Sequence, residues 1–95
     1  MTREEKAWLA SICAYGCICC LAFGRPRTPA EPHHILRNGR RMGHLFTLPL
    51  CSGHHRSGRY DDEFVSRHPY KTRWVRLFGN ELDLLVKLQS EINGS

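Results

Sequence analysis

Two short spacings in this sequence suit metal chemistry. Cys17-x2-Cys20 and Cys51-x2-His54 each offer two ligand atoms across a tight turn. Together they make a Cys3His set, which closes a tetrahedron and suits structural zinc. Thirty residues lie between the pairs, enough for a hairpin pinned at its base. Cys13-x3-Cys17 is a competing first pair with a spacing less suited to a zinc knuckle. Cys13 and Cys19 are then read as packing residues. Five further histidines remain: His33, His34, His44, His55 and His68. Adjacent histidines on a strand point to opposite faces, so one of His33 and His34 can hold a metal while the other acts elsewhere. Adjacent histidines on a helix lie about 100° apart, so His54 can face the zinc while His55 faces a second site. A site with fewer than four protein ligands leaves room for water or phosphate, as a catalytic metal requires.

The elements that must position these residues can be read in outline. Thr2 and Glu5 fit a capping box, and Trp8, Leu9 and Ile12 follow at helical spacing, so a first helix is expected from Thr2 to Cys13. Gly16 breaks it, and Cys17 to Cys20 read as a tight turn. Three prolines and Gly24 make 24–32 a loop. His33 to Leu36 can start a strand, and Asn38-Gly39 is a strong hairpin signal. Leu45 to Leu48 read as the returning strand, which Pro49 should limit. Cys51-Ser52-Gly53 reads as a loop entering a helix near His54, and Asp61 to Ser66 as another helical turn. Trp74, Leu77 and Phe78 predict a helix over 70–78. Gly79 ends it and Asn80 caps the next, whose face is Leu82, Leu85, Val86, Leu88 and Ile92.

Composition narrows the class. Ninety-five residues are expected to form one domain, 1–95, with a limited core that a metal would help to hold. Five cysteines, an odd count, argue against a closed disulfide framework. No apolar run approaches the roughly 18 residues of a membrane span, and the first residues lack a signal peptide's n-region. The net charge of +5 is concentrated. Residues 25–76 carry eleven basic and four acidic side chains, net +7, together with all six histidines. Arginine outnumbers lysine 11 to 3, and its planar fork suits phosphate. An acidic partner such as nucleic acid is expected.

Glu31-Pro32-His33-His34-Ile35 and Leu48-Pro49-Leu50-Cys51-Ser52-Gly53-His54-His55-Arg56-Ser57-Gly58 resemble an HNH endonuclease of the ββα-metal class. More narrowly, the chain resembles the Ref-like (recombination enhancement function) nucleases of phages and prophages. The likeness extends to Trp8-Leu9, the Cys17/Cys20 knuckle, His68, Lys71 to Trp74, and Phe78 to Leu82. It implies an α+β fold, a small zinc-stabilised, treble-clef-like ββα-metal domain flanked by N- and C-terminal helices. It implies His34 as general base and His33 and His55 as ligands of the catalytic metal, with His68 as candidate third ligand. The motif's middle residue, usually Asn, orients the base. No Asn falls on the returning strand, His44 stands nearby in its place, and Asn38 is a turn residue.

The expected activity is metal-dependent hydrolysis of DNA phosphodiester bonds. A structural zinc would hold the fold, and a second divalent metal, zinc or magnesium/manganese, would serve the active site. Arg56, Arg59, Lys71 and Arg73 are expected to contact phosphates. Composition suggests a cytosolic domain. A bacterial cytoplasmic setting and a monomer are expected, and the resemblance further implies a RecA-type recombinase filament as partner. The main alternative is a zinc-stabilised nucleic-acid-binding module without catalysis. Such a binder has no need of His34, His55 and His68 around an open metal. A third reading is a small interaction domain using the C-terminal leucine face, which more naturally closes the core.

Overall fold

A computed structural model describes residues 1–58 and 61–94. Helix α1, Arg3–Tyr15, begins at the expected cap. The Glu5 amide donates to Thr2 Oγ1 at 3.0 Å and the Thr2 amide donates to Glu5 Oε1 at 2.8 Å, which satisfies two amides at the helix start. The helix ends at Gly16, whose φ of 89° suits glycine. Cys17 then caps a five-residue helix α2, Ile18–Ala22. The cysteine pair therefore sits on a helix start, where a simple turn was expected.

Strand β1, Glu31–His34, pairs antiparallel with β4, Thr47–Leu50. Between them, β2, Leu36–Arg37, and β3, Arg40–Arg41, form a two-residue ribbon closed by Asn38-Gly39, with φ of 53° and 77°. Positive φ at both turn positions is what a tight hairpin with the correct twist demands. The returning strand differs from expectation. It starts two residues later than Leu45 and runs through Pro49. The ladder explains this. The Ile35 amide donates to the Phe46 carbonyl at 2.9 Å. Pairs alternate along an antiparallel ladder, so His33–Leu48 and Glu31–Leu50 are the hydrogen-bonded ones. Pro32 and Pro49 face each other at the intervening position, where no amide is needed. The strand also begins at Glu31, inside the segment expected to be loop.

All four β4 residues are buried, because α1, α2 and the C-terminal helix α4, Glu81–Asn93, pack around that strand. A single π-helical turn, Gly53–Ser57, follows it. Asp61 to Ser66 are not helical. The Asp61 carboxylate accepts from the Glu63 and Phe64 amides at 3.1 and 2.8 Å, offering the backbone a local turn instead. Helix α3, Lys71–Phe78, ends at Gly79, and Asn80 caps α4 by accepting from the Leu82 and Asp83 amides. The inward face of α4 is Glu81, Leu85 and Leu88, with Leu84 and Ile92 packed beside it. Leu82 and Val86 are 42 % and 65 % exposed, which corrects the expected face. Trp8, Ile12, Ile35, Leu48, Leu50 and Trp74 form the centre of the core together with four buried cysteines. Cys13 is exposed, so it is not a packing residue. The result is a small compact α+β molecule. Its radius of gyration is 12.6 Å, against about 12 Å for a folded chain of this length.

Candidate metal centres and active site

Cys17, Cys20, Cys51 and His54 converge, with one ligand atom from each within 4.8 Å of all the others. The helix start at α2 supplies two thiols, the end of β4 the third, and the π-turn the imidazole. His54 Nδ1 lies 3.5, 3.6 and 3.2 Å from the sulfurs of Cys17, Cys20 and Cys51, and the Cys20 and Cys51 sulfurs are 3.8 Å apart. A zinc tetrahedron with ordinary bond lengths has sulfur–sulfur edges of about 3.8 Å and sulfur–nitrogen edges of about 3.6 Å. The donor set and its edges therefore fit zinc. His54 Nε2 donates to the Glu63 carbonyl at 2.7 Å, which leaves the Nδ1 lone pair as the one that could meet a metal. Phe64 stacks on the ring at 4.9 Å and Phe78 meets it edge-on at 5.6 Å, keeping water away. The neighbouring thiol and imidazole groups hold the Cys17 thiol well below its ordinary range, while burial pushes the Cys51 thiol up. Cys19 is buried in the core, as its reading as a packing residue expects.

A second cluster joins His33, His55 and His68, again with ligand atoms within 4.8 Å of one another. Their rings form a near-equilateral triangle with centroid separations of 5.1, 5.3 and 5.4 Å. His33 comes from β1 and His55 from the π-turn. His68, thirteen residues further on, is brought alongside by the backbone: Arg67 and His68 amides donate to the His54 and His55 carbonyls at 2.8 and 2.9 Å.

Two carboxylates that the sequence reading did not assign orient these rings. His33 Nε2 is hydrogen-bonded to Glu81, which also accepts from Arg67 at 3.0 Å. His55 Nδ1 pairs with Glu31 at 2.6 Å. Carboxylates on the outer nitrogens are the usual support of metal-binding imidazoles. His33 Nδ1 is buried and has no hydrogen-bond partner among the described residues. A buried lone pair without a partner is costly, and a cation would satisfy it. The donor set therefore fits a divalent metal that accepts nitrogen ligands. Burial alone would raise the Glu81 carboxyl, but His33 and Arg67 outweigh it and hold it at about 2. Arg56 and His55 hold Glu31 at about 2. Burial lowers the pKa of His55 and of His68, which favours the uncharged form that can ligate a metal. The available signals were weak. Glu31 precedes His33 by two residues and so shares its strand face, and Glu81 stands in the first turn of a capped helix.

His34 points away from His33, as strand alternation requires, and its Nε2 lies 3.1 Å from His44 Nδ1. Burial, then the charge of Arg41, lowers the His34 pKa. The turn carrying His44 is tied down in series: Trp8 Nε1 donates to Thr47 Oγ1 at 2.9 Å, and Thr47 donates to the His44 carbonyl at 3.0 Å. Of the expected phosphate contacts, Arg56 grips Glu31 at 2.7 and 3.1 Å, Arg73 pairs with Asp62, and Lys71 is exposed at the start of α3. Arg59 lies outside the described residues.

A small α+β fold holding a Cys3His cluster beside a cluster of three histidines defines a candidate metalloprotein. The model of a family described as recombination enhancement, RecA-dependent nuclease matches residues 1–93, and the chain belongs to that family. No curated protein and no solved structure matches it. No described helix is long and apolar enough to cross a membrane.

Proposed function

We propose that the chain is a metal-dependent DNA endonuclease of the HNH type, acting with a RecA-type filament, with His34 as general base. The observation that carries this reading is the second cluster: three imidazoles, two oriented by carboxylates, one with a buried unpartnered nitrogen. A module that only bound nucleic acid would need the Cys3His site and nothing like this one. The strand pair β1–β4 followed by the π-turn supports the ββα reading, and the family description supports the nuclease and the filament.

In this reading His33, His55 and His68 hold a divalent cation, which would polarise the scissile phosphate and stabilise the leaving oxygen. His44 accepts from His34 Nε2–H, which places the lone pair of the neutral ring on Nδ1. That nitrogen takes a proton from water as the water oxygen attacks phosphorus and the bond to the leaving oxygen breaks. Trp8 and Thr47 hold the His44 turn, and Glu81 and Glu31 hold the ligand rings. Cys17, Cys20, Cys51 and His54 keep the whole arrangement folded around zinc.

The test is nicking of supercoiled plasmid carrying a RecA filament on a homologous oligonucleotide, with magnesium, manganese or zinc added to protein freed of loosely bound metal. Cleavage restored by at least one cation is expected. Absence of metal-dependent nicking, with and without filament, would refute the assignment.

A further inference from the structure

The ribbon β2–β3 stands between the two histidines of the His34–His44 pair, and nothing in the mechanism above uses it. Its residues from Leu36 to Arg41 are all exposed. Three of the six are arginines: Arg37, Arg40 and Arg41. Arg25, Arg56, Arg67 and Arg73 are each paired with a carboxylate. Among the described residues the ribbon's three arginines have no such partner. With Met42 and Phe46 they line an open concavity of about 570 Å³. Leaving three neighbouring guanidinium groups unneutralised on a two-residue ribbon costs self-repulsion, and a polyanion would relieve it.

The ribbon is rigidly placed relative to His34. Leu36 follows His34 by two residues, and the Met42 amide donates to the Ile35 carbonyl at 3.1 Å, tying both legs to the end of β1. From Ile35 to the turn at Asn38 is about 10 Å at the ordinary rise of a strand. A DNA strand advances one phosphate per about 3.4 Å of helix axis, so this reach, laid along the axis, covers about three base-pair steps. Arginine forks suit phosphate oxygens, and a twisted two-stranded ribbon is slim enough to lie against a groove.

We propose that Arg37, Arg40 and Arg41 form a phosphate-binding arm that grips duplex DNA beside the cleaved bond, on the β1 side of the site. The proposal deepens the nuclease reading and rests on it for the position of the scissile phosphate. The tight Asn38-Gly39 turn keeps the arm short and stiff, so little order is lost when it binds.

The experiment is anisotropy titration of a 20-base-pair labelled duplex at several salt concentrations, in a His34→Ala background so that cleavage does not enter. R37A/R40A should bind about tenfold more weakly, with a slope of log affinity against log salt shallower by about 1.8, the loss of two phosphate contacts. R37K/R40K, which keeps the charge, should retain the slope. Both pairs of substitutions lie on exposed side chains, and unchanged zinc content and circular dichroism confirm the fold. Equal affinity and slope for R37A/R40A would overturn the arm while leaving the nuclease reading intact. So would unchanged DNA binding combined with lost cleavage of filament-bearing plasmid by R37A/R40A with His34 restored, which would assign the ribbon to a protein partner. Failure of the nuclease reading is seen separately, as absence of metal-dependent nicking by the wild-type chain.

Discussion

His33 Nε2 meets Glu81, while its buried Nδ1 has no partner among the described residues and, in the proposed reading, would take the cation. Glu81→Gln keeps the shape and removes the charge. Metal affinity at the three-histidine cluster should fall by about 10- to 100-fold, with the Cys3His cluster unaffected. Competitive titration with a chromogenic chelator reads both sites, and equal affinities for variant and wild type would contradict the orienting role. The histidines were legible in the sequence because strand and helix periodicities divide neighbouring residues between faces. That logic separates His33 from His34 and His54 from His55, as the structure does. Glu81 was not legible as His33's partner, because 48 residues separate them and only the packing of α4 joins them. Arg56 and Arg73 illustrate the converse. Their charge could be read from sequence, but their engagement with Glu31 and Asp62 could not.

At the scale of elements, local chemistry was the most legible. The Thr2/Glu5 box, the Asn38-Gly39 turn and the Asn80 cap each satisfy backbone groups within three residues, so nothing distant can override them. Pro49 and Asp61 misled for the same physical reason. A proline forbids a strand only where its nitrogen must donate, and an aspartate can satisfy local amides without a helix. Long-range ties between elements give two tests. Trp8→Phe removes the indole donor to Thr47 and should cost about 1 kcal/mol in urea denaturation. It should also slow cleavage, by loosening the His44 turn. Unchanged stability and rate would contradict that linkage. The Tyr15 hydroxyl donates to Glu91 and joins α1 to α4. This raises the Tyr15 pKa above its ordinary 10. A raised folded pKa stabilises fully below the unfolded value and is lost as pH rises through the folded one. Denaturation of the wild type relative to Tyr15→Phe should therefore show a constant advantage up to about pH 10, declining above it. An advantage that grows with pH would be the wrong sign.

For the molecule as a whole, 95 residues bury a modest core, and four of its members are cysteines. Three of those converge with His54 on one point, so zinc bound there would be linked to folding. Cys17→Ser should lose about one zinc per chain and most of the cooperative unfolding transition. Full metal content and a native melting curve would contradict a structural role. The three-histidine cluster lies on the other side of the π-turn, with His54 in one cluster and His55 in the other. In the proposed function this second site works with His34 as a base while the first holds the fold. The most direct measurement is the nicking rate of His34→Ala beside wild type, on filament-bearing plasmid with the activating cation. A loss of at least about 100-fold is expected, with metal content and melting temperature unchanged. Equal rates from the two proteins would contradict it.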